Sequence, residues 1–144
     1  MLKHSTTTTK KSDLSPVWCL VDAKDQILGR VSTMIARMLL GKDKVNYVPN
    51  LAVGDFVVVI NAKYISLTGN KDGKTYYNYS GYPGGLRVRT MQELKETKPE
   101  EIIKHAVKGM LPKNRLGSKL ISRLFIYPGS EHDHSAQKPV KVKV

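Results

Sequence analysis

The strongest constraint on the fold is a run of five apolar residues from Phe56 to Ile60. The run does not alternate with polar residues, so a strand formed here would bury both of its faces. Strands of this kind belong to sheets that are covered on both sides, most often parallel sheets with helices packed against them. The run therefore predicts a strand at the centre of a mostly parallel sheet.

The residues before this run predict a strand, a turn and a helix. A short apolar segment from Val17 to Val21 predicts the strand, and residues 22–25 predict the turn that closes it. Apolar residues then recur at helical spacing, and Gly41 is placed to cap the helix at its C-terminus. The recurring residues are Leu28, Val31, Ile35, Met38 and Leu39.

A tyrosine-rich segment follows the run. Tyr76 to Tyr79 predict an extended segment that enters a glycine-rich turn at residues 81–85. Thr90 and Glu93 then have the spacing of a capping box, in which each side chain accepts a hydrogen bond from the other residue's backbone. This pair predicts the start of a helix.

Two more helices and a last strand are predicted further along. Thr97 and Glu100 form a second possible capping box, and Asn114 is suited to cap another helix. Residues 125–127 predict a strand, and the chain beyond Pro128 is expected to be irregular. The residues expected to be buried by the first of these helices are Ile102, Ile103, Ala106, Val107 and Met110. The apolar residues of the second are Leu116, Leu120, Ile121 and Leu124.

This order of elements predicts an α/β architecture with a partly parallel sheet between helices. We expect one domain at residues 15–127, a flexible basic extension at residues 1–14 and a basic arm at residues 128–144. No apolar run approaches the roughly 18–20 residues that a bilayer-spanning helix needs. A single cysteine, Cys19, excludes an internal disulfide and, without an apolar leader, predicts a reducing, cytoplasmic location.

The distribution of positive charge points to a polyanionic partner. The net charge is +12, and residues 104–144 hold nine Lys and Arg against two Asp and Glu. In the predicted helix after residue 114, Arg115, Lys119 and Arg123 recur every four residues, which would place them on one face. A solvated face would normally carry acids as well, and residues 104–130 contain none. The pattern therefore favours a surface that binds the phosphates of a nucleic acid.

Aromatic residues lie among further cations in the tyrosine-rich segment. Tyrosine rings can stack on unpaired bases while neighbouring cations bind phosphates. Tyrosines are also ordinary strand residues, so we expect stacking by some of them only. The tyrosines concerned are Tyr76, Tyr77, Tyr79 and Tyr82, and the neighbouring cations are Lys71, Lys74, Arg87 and Arg89.

The sequence gives weaker support to catalysis. His132 and His134 could share a metal ion, but zinc needs three or four ligands and the other His and Cys residues lie far away in sequence. Cys19 fits a small buried apolar residue, and no glycine-rich nucleotide-binding motif occurs. A metal-dependent nuclease using Asp55 and the two histidines is one alternative. Binding to an anionic membrane or an acidic protein is another.

The residues from about Trp18 to Pro139 resemble a universal family, large-subunit ribosomal protein thirteen, in its bacterial-type form. The motifs that carry the resemblance are Val21-Asp22-Ala23, Leu28-Gly29-Arg30, Gly54-Asp55, Ile60-Asn61-Ala62, Thr68-Gly69, Tyr82-Pro83-Gly84-Gly85, Ala106-Val107-Lys108-Gly109-Met110-Leu111-Pro112, Leu116-Gly117, Glu131-His132 with His134, Ala136-Gln137, and Pro139. So many motifs in one order make the resemblance specific.

The resemblance implies a three-layer α/β/α fold with a small mixed sheet. It also implies a structural protein of the large ribosomal subunit that binds ribosomal RNA early in assembly, meets neighbouring ribosomal proteins and catalyses nothing. We expect no cofactor, metal, membrane or small-molecule substrate. The candidate RNA-binding residues are Arg30, Arg37, Lys42, Lys44, Lys71, Lys74, Tyr77, Tyr82, Arg87, Arg89, Lys108, Lys113, Arg115, Lys119, Arg123, His132, His134 and Lys138.

Overall fold

The structure, a computed structural model, describes residues 9–69 and 73–142. The strands in these ranges are β1 (Trp18–Asp22), β2 (Phe56–Ile60), β3 (Thr75–Tyr79), β4 (Leu86–Thr90), β5 (Leu124–Ile126) and β6 (Val140–Val142). The α-helices are α1 (Leu28–Leu40), α2 (Met91–Thr97), α3 (Pro99–Met110) and α4 (Arg115–Ile121). Short 3₁₀ turns lie at Lys11–Asp13, Ala62–Tyr64 and Ser135–Gln137.

Four of the strands form one sheet in the order β5-β2-β1-β6, with every neighbouring pair parallel. Strand β2 lies between β1 and β5, and Val57, Val58 and Val59 are buried. The predicted central strand is therefore confirmed, as is the α/β class with its mostly parallel sheet. Strands β3 and β4 form a separate antiparallel hairpin, which follows β2 and precedes α2 in the chain.

One face of the sheet packs against the helices. Alternate strand residues, including Val21, Val57 and Val59, share a single apolar core with all four helices. This alternation is what a pleated strand requires, since successive side chains point to opposite faces. The helical residues of this core include Val31, Ile35, Leu39, Met91, Leu94, Ile102, Ile103, Val107 and Leu120.

The opposite face is covered by aromatic rings and the C-terminal segment. Trp18 stacks on Phe56 with ring centroids 4.6 Å apart, and on Phe125 at 5.6 Å. The His134 ring lies 4.3 Å from Phe125 and 5.0 Å from Trp18. Residues after β5 thus return over this face, and Val58 beneath it is fully buried. The second cover consists of this segment with its 3₁₀ turn.

The C-terminus of α1 packs closely against the residues before β2, and each side of this contact has a glycine. Gly41 adopts a left-handed conformation (φ 73°), and its N–H donates to the carbonyl oxygens of Arg37 and Met38, which confirms the predicted cap. A Cβ built on Gly54 would overlap the carbonyl oxygen of Leu39. The helix and the residues before β2 are therefore as close as their backbones allow.

Most of the predicted helix starts are correct. The capping box of Thr90 and Glu93 is confirmed in both directions, at 3.3 and 3.0 Å. The box of Thr97 and Glu100 is wrong, because the Thr97 hydroxyl donates back to the Glu93 carbonyl of α2 and Lys98 takes the cap position. Helix α3 nevertheless begins at the next residue, Pro99, a residue suited to a first helical turn.

One prediction of burial and one of secondary structure need correction. Met110 is 45% exposed, because it ends α3 beyond the part that lies in the core. Leu124 is buried but belongs to β5, since α4 ends at Ile121. Asn114 caps α4 as predicted, accepting from the N–H of Gly117 at 2.9 Å.

The C-terminal segment is more ordered than the sequence predicted. Residues 128–139 have the expected irregular course apart from the 3₁₀ turn, but Val140–Val142 form β6 at the edge of the sheet. Strand β6 is three residues long and has a lysine between two valines, so it gives too short a pattern to identify from sequence.

We expect Gly54→Ala to destabilise the fold by about 1–3 kcal/mol or more, because the added methyl group meets backbone that cannot rotate away. Urea unfolding followed by circular dichroism measures the difference. Gly29→Ala is the matched control, since a Cβ there has nothing within 4 Å. Equal stability of the two variants would contradict the close approach at Gly54.

Candidate nucleic-acid interface

The β3–β4 hairpin presents a cationic face to helix α3. Arg87 and Arg89 on β4 pair with Asn78 and Tyr76 on β3, so all four side chains lie on one face. Lys74 joins this face at the base of the hairpin, with its Nζ 5.1 Å from the Tyr76 ring centroid. Because successive side chains of β4 point to opposite faces, Arg87 and Arg89 both lie on the side that faces α3.

A cleft of about 350 Å³ separates this face from α3. His105 and Lys108 line its helical side, one turn apart. The His105 ring meets the Tyr76 ring edge-on at 5.0 Å, which fixes the floor of the cleft. Burial raises the pKa of the Tyr76 hydroxyl, so Tyr76 stays neutral at physiological pH.

A second groove, of about 600 Å³, lies between α3 and α4. His105 and Lys108 line both, and Lys113 lines the second at the turn between the helices. We call the two together the basic groove, lined by the cations Arg87, Arg89, Lys108 and Lys113.

The basic groove has little negative charge to neutralise its cations. Glu101 lies on its wall and is 3.9 Å from Arg89, but it is also 3.6 Å from Lys98. Among the described residues, no carboxylate lies within 4.0 Å of the charged groups of Arg87, Lys108 or Lys113. A groove of this length and charge suits a phosphate backbone.

Helix α4 adds two exposed cations beside the groove. Arg115 and Lys119 are one helical turn apart, as predicted, and both are exposed. Arg123 is not on their face, which corrects the predicted row of three. Because α4 ends at Ile121, the Arg123 side chain turns inward, donates to the Gly54 carbonyl at 2.6 Å and lies 5.2 Å from the Phe56 ring centroid.

The cations around α1 form a separate group. Arg30 and Arg37 line a shallow groove on the exposed side of α1, where Arg37 pairs with Asp43. Lys42 is exposed in the turn after α1. Lys44 is half-buried, pairs with Asp55 and donates to the Val53 carbonyl at 3.2 Å, so it secures the residues before β2.

The remaining candidates lie on the far side of the sheet, in the hairpin turn or outside the described residues. His132 and His134 are half-buried in the C-terminal segment, and the His134 N–H donates to His132 Nδ1 at 3.2 Å. Lys138 is exposed and follows the last 3₁₀ turn. Tyr82 is exposed in the hairpin turn, and Lys71 lies outside the described residues.

The residues of the catalytic alternative have structural contacts. Asp55 accepts from the Val17 N–H at 2.8 Å and from Lys44. Cys19 is buried in β1, and burial, followed by the nearby Asp55 carboxylate, raises the pKa of its thiol. Across residues 9–69 and 73–142, no group of three or more His, Cys, Asp or Glu is placed to hold a metal ion. No described helix is long and apolar enough to span a bilayer.

Sequence reasoning missed one residue of the groove, His105. It lies close to neither the hairpin nor Lys113 in sequence, and only the packing of α3 against β3 brings its ring to Tyr76. The spacing of His105 and Lys108, three residues apart on a helix, was the available signal, since such residues share a face.

Comparison with known proteins identifies a family. The family described as Ribosomal protein L13 matches residues 16–133. "Large ribosomal subunit protein uL13" of Syntrophotalea carbinolica is 50% identical over 141 residues, covering 97% of this chain and 99% of the relative. The protein of the same name from Thermoanaerobacter sp. (strain X514) is 52% identical, covering 94% and 95%. That of Chlorobium luteolum is 46% identical, covering 99% and 97%.

We expect Arg123→Ala to lower the free energy of unfolding by about 1–3 kcal/mol, because it removes a charge-assisted hydrogen bond and a cation–π contact. Arg115→Ala is the matched control and should change stability by less than about 0.5 kcal/mol, since that side chain is exposed. Thermal and urea unfolding of both variants measure the difference. Identical curves would show that Arg123 does not secure the fold.

Proposed function

Because the chain belongs to the ribosomal protein L13 family, whose members are structural proteins of the ribosome and not enzymes, we propose that it binds large-subunit ribosomal RNA through the basic groove. The observation that carries this proposal is that the two parts of the groove share His105 and Lys108, so cations line a path from the hairpin to α4. Lys108 lines both halves, so one RNA strand or helix edge could follow the whole path.

The groove suits recognition of RNA shape and backbone. Its side chains are lysines and arginines, which bind phosphates whatever the base sequence. Arg115 and Lys119 extend the same charge along α4. Tyr82, exposed at the tip of the hairpin, is the tyrosine best placed to stack on an unpaired base.

The candidate cations divide into two groups by their contacts. Among the described residues, those of the groove and of α4 have no carboxylate within 4.0 Å except Arg89, which lies 3.9 Å from Glu101, and we propose that they contact phosphates. Arg123 and Lys44 donate to backbone carbonyls and support the residues beside β2. We therefore propose that these two affect RNA binding through the fold.

We also propose that binding occurs early in subunit assembly. Helices α3 and α4 share one apolar core, and the hairpin packs against it through Tyr76, so the walls of the groove are positioned by the chain's own fold. The purified chain should accordingly bind large-subunit RNA that carries no other protein.

We expect RNA affinity to fall steeply with salt, by about 10³–10⁵ between 50 and 200 mM if roughly 6–10 phosphates are neutralised. The double variant Lys108→Ala/Lys113→Ala should weaken binding and reduce the slope of log K against log salt by about 1–2, because two phosphate contacts are lost. Filter binding of purified chain to naked large-subunit RNA measures both quantities.

The matched control is Lys24→Ala/Lys63→Ala, which removes the same charge from exposed positions after β1 and β2 that do not line either part of the groove. We expect the slope for this control to stay close to that of the unmodified chain. Equal loss for the two double variants would mean that net charge alone drives binding. The groove would then not be the RNA site.

A further inference from the structure

The second face of the β3–β4 hairpin is apolar and exposed. Tyr77 pairs directly with Val88 across the strands, and Tyr79 pairs with Leu86. These four residues are 67%, 51%, 62% and 56% exposed, respectively. We call this surface the outer face of the hairpin.

The outer face contains no charged residue. Besides the four apolar residues it holds Thr75 and Thr90, which pair at the base of the hairpin, and the Thr75 hydroxyl lies 3.1 Å from the Tyr77 hydroxyl. The cations of the hairpin alternate with these residues and therefore lie on the opposite face. One two-stranded sheet thus separates a cationic side from an uncharged side.

This arrangement is unusual for an isolated hairpin in water. Cross-strand pairs of large apolar side chains normally face a core, and a two-stranded sheet is marginally stable unless one face is covered. Here the cationic face packs toward α3, and the outer face is left open among the described residues, although Tyr77 also contributes to the lining of the cleft. Contiguous exposed apolar surface of this kind is typical of a contact with another molecule.

The charge distribution decides between possible occupants. RNA would bring phosphates to a surface that has no cation to neutralise them, whereas the other face of the same strands offers Arg87 and Arg89. A second copy of the chain would bring another net charge of +12, and two such chains repel each other. An uncharged apolar surface on a different protein has neither disadvantage.

We propose that the outer face docks against an apolar, uncharged surface of a neighbouring protein in the large ribosomal subunit. The proposal rests on the proposed function, since it takes RNA to occupy the opposite side of the hairpin. Tyr77, which sequence analysis placed among the RNA-binding residues, is assigned here to a protein contact. The hairpin then holds RNA on one face and protein on the other.

Site-specific photocrosslinking tests this assignment with two adjacent residues of β4. Benzoylphenylalanine replaces either Val88, on the outer face, or Arg87, on the cationic face, in the full chain expressed in cells. Large subunits are purified, irradiated and digested with ribonuclease or protease to separate protein from RNA adducts. Both positions are exposed, so both variants should fold.

We expect the Val88 position to give an adduct with another large-subunit protein that survives ribonuclease, and the Arg87 position to give an RNA adduct. An RNA adduct, a second copy of this chain or no adduct at Val88 would each overturn the docking proposal. If only the Arg87 position failed to give its expected RNA adduct, the result would count against the RNA groove and leave the protein contact unaffected. If the Val88 variant does not enter subunits, Leu86 on the same face replaces it under the same criteria.

Discussion

The fold depends on the burial of β2 on both of its faces. A strand of five apolar residues in the middle of a parallel sheet requires a cover on each side. The helices supply one cover through a shared apolar core, and the C-terminal segment supplies the other through the rings around Trp18. The hairpin, α3 and α4 all lie between β2 and β5 in the chain, so the two ends of this segment are anchored in neighbouring strands of the sheet.

This constraint also decides which cations face outward. Arg123 and Lys44 lie beside the sheet, where the backbone carbonyls of Gly54 and Val53 accept their hydrogen bonds. Lys108 and Lys113 lie where α3 leaves the core and turns into α4, with no carboxylate of the described chain close by. The cations that do not support the residues beside the sheet therefore lie along one groove. A small domain with a net charge of +12 can in this way present a defined surface for RNA.

Local signals predicted the elements, and long-range contacts decided the site. The apolar run of β2, the helical spacing of α1 and the caps at Gly41, Thr90 and Asn114 depend on a few adjacent residues, and all were correct. Arg123 was misplaced because the end of α4 depends on packing against the sheet, which spacing alone does not report. Strand β4 and the pairing of Tyr76 with His105 were missed for the same reason, since each requires a partner from a different element.

The central claim is that a folded core presents one preformed RNA-binding groove. Amide hydrogen exchange of the purified chain, free and bound to large-subunit RNA, tests it most directly because it maps protection along the whole chain. The account predicts slower exchange on binding in the β3–β4 hairpin, at the end of α3 and in α4, with protection in β1 and β2 already high in the free chain. Weak protection of β1 and β2 in the free chain, or protection on binding that avoids the groove, would contradict it.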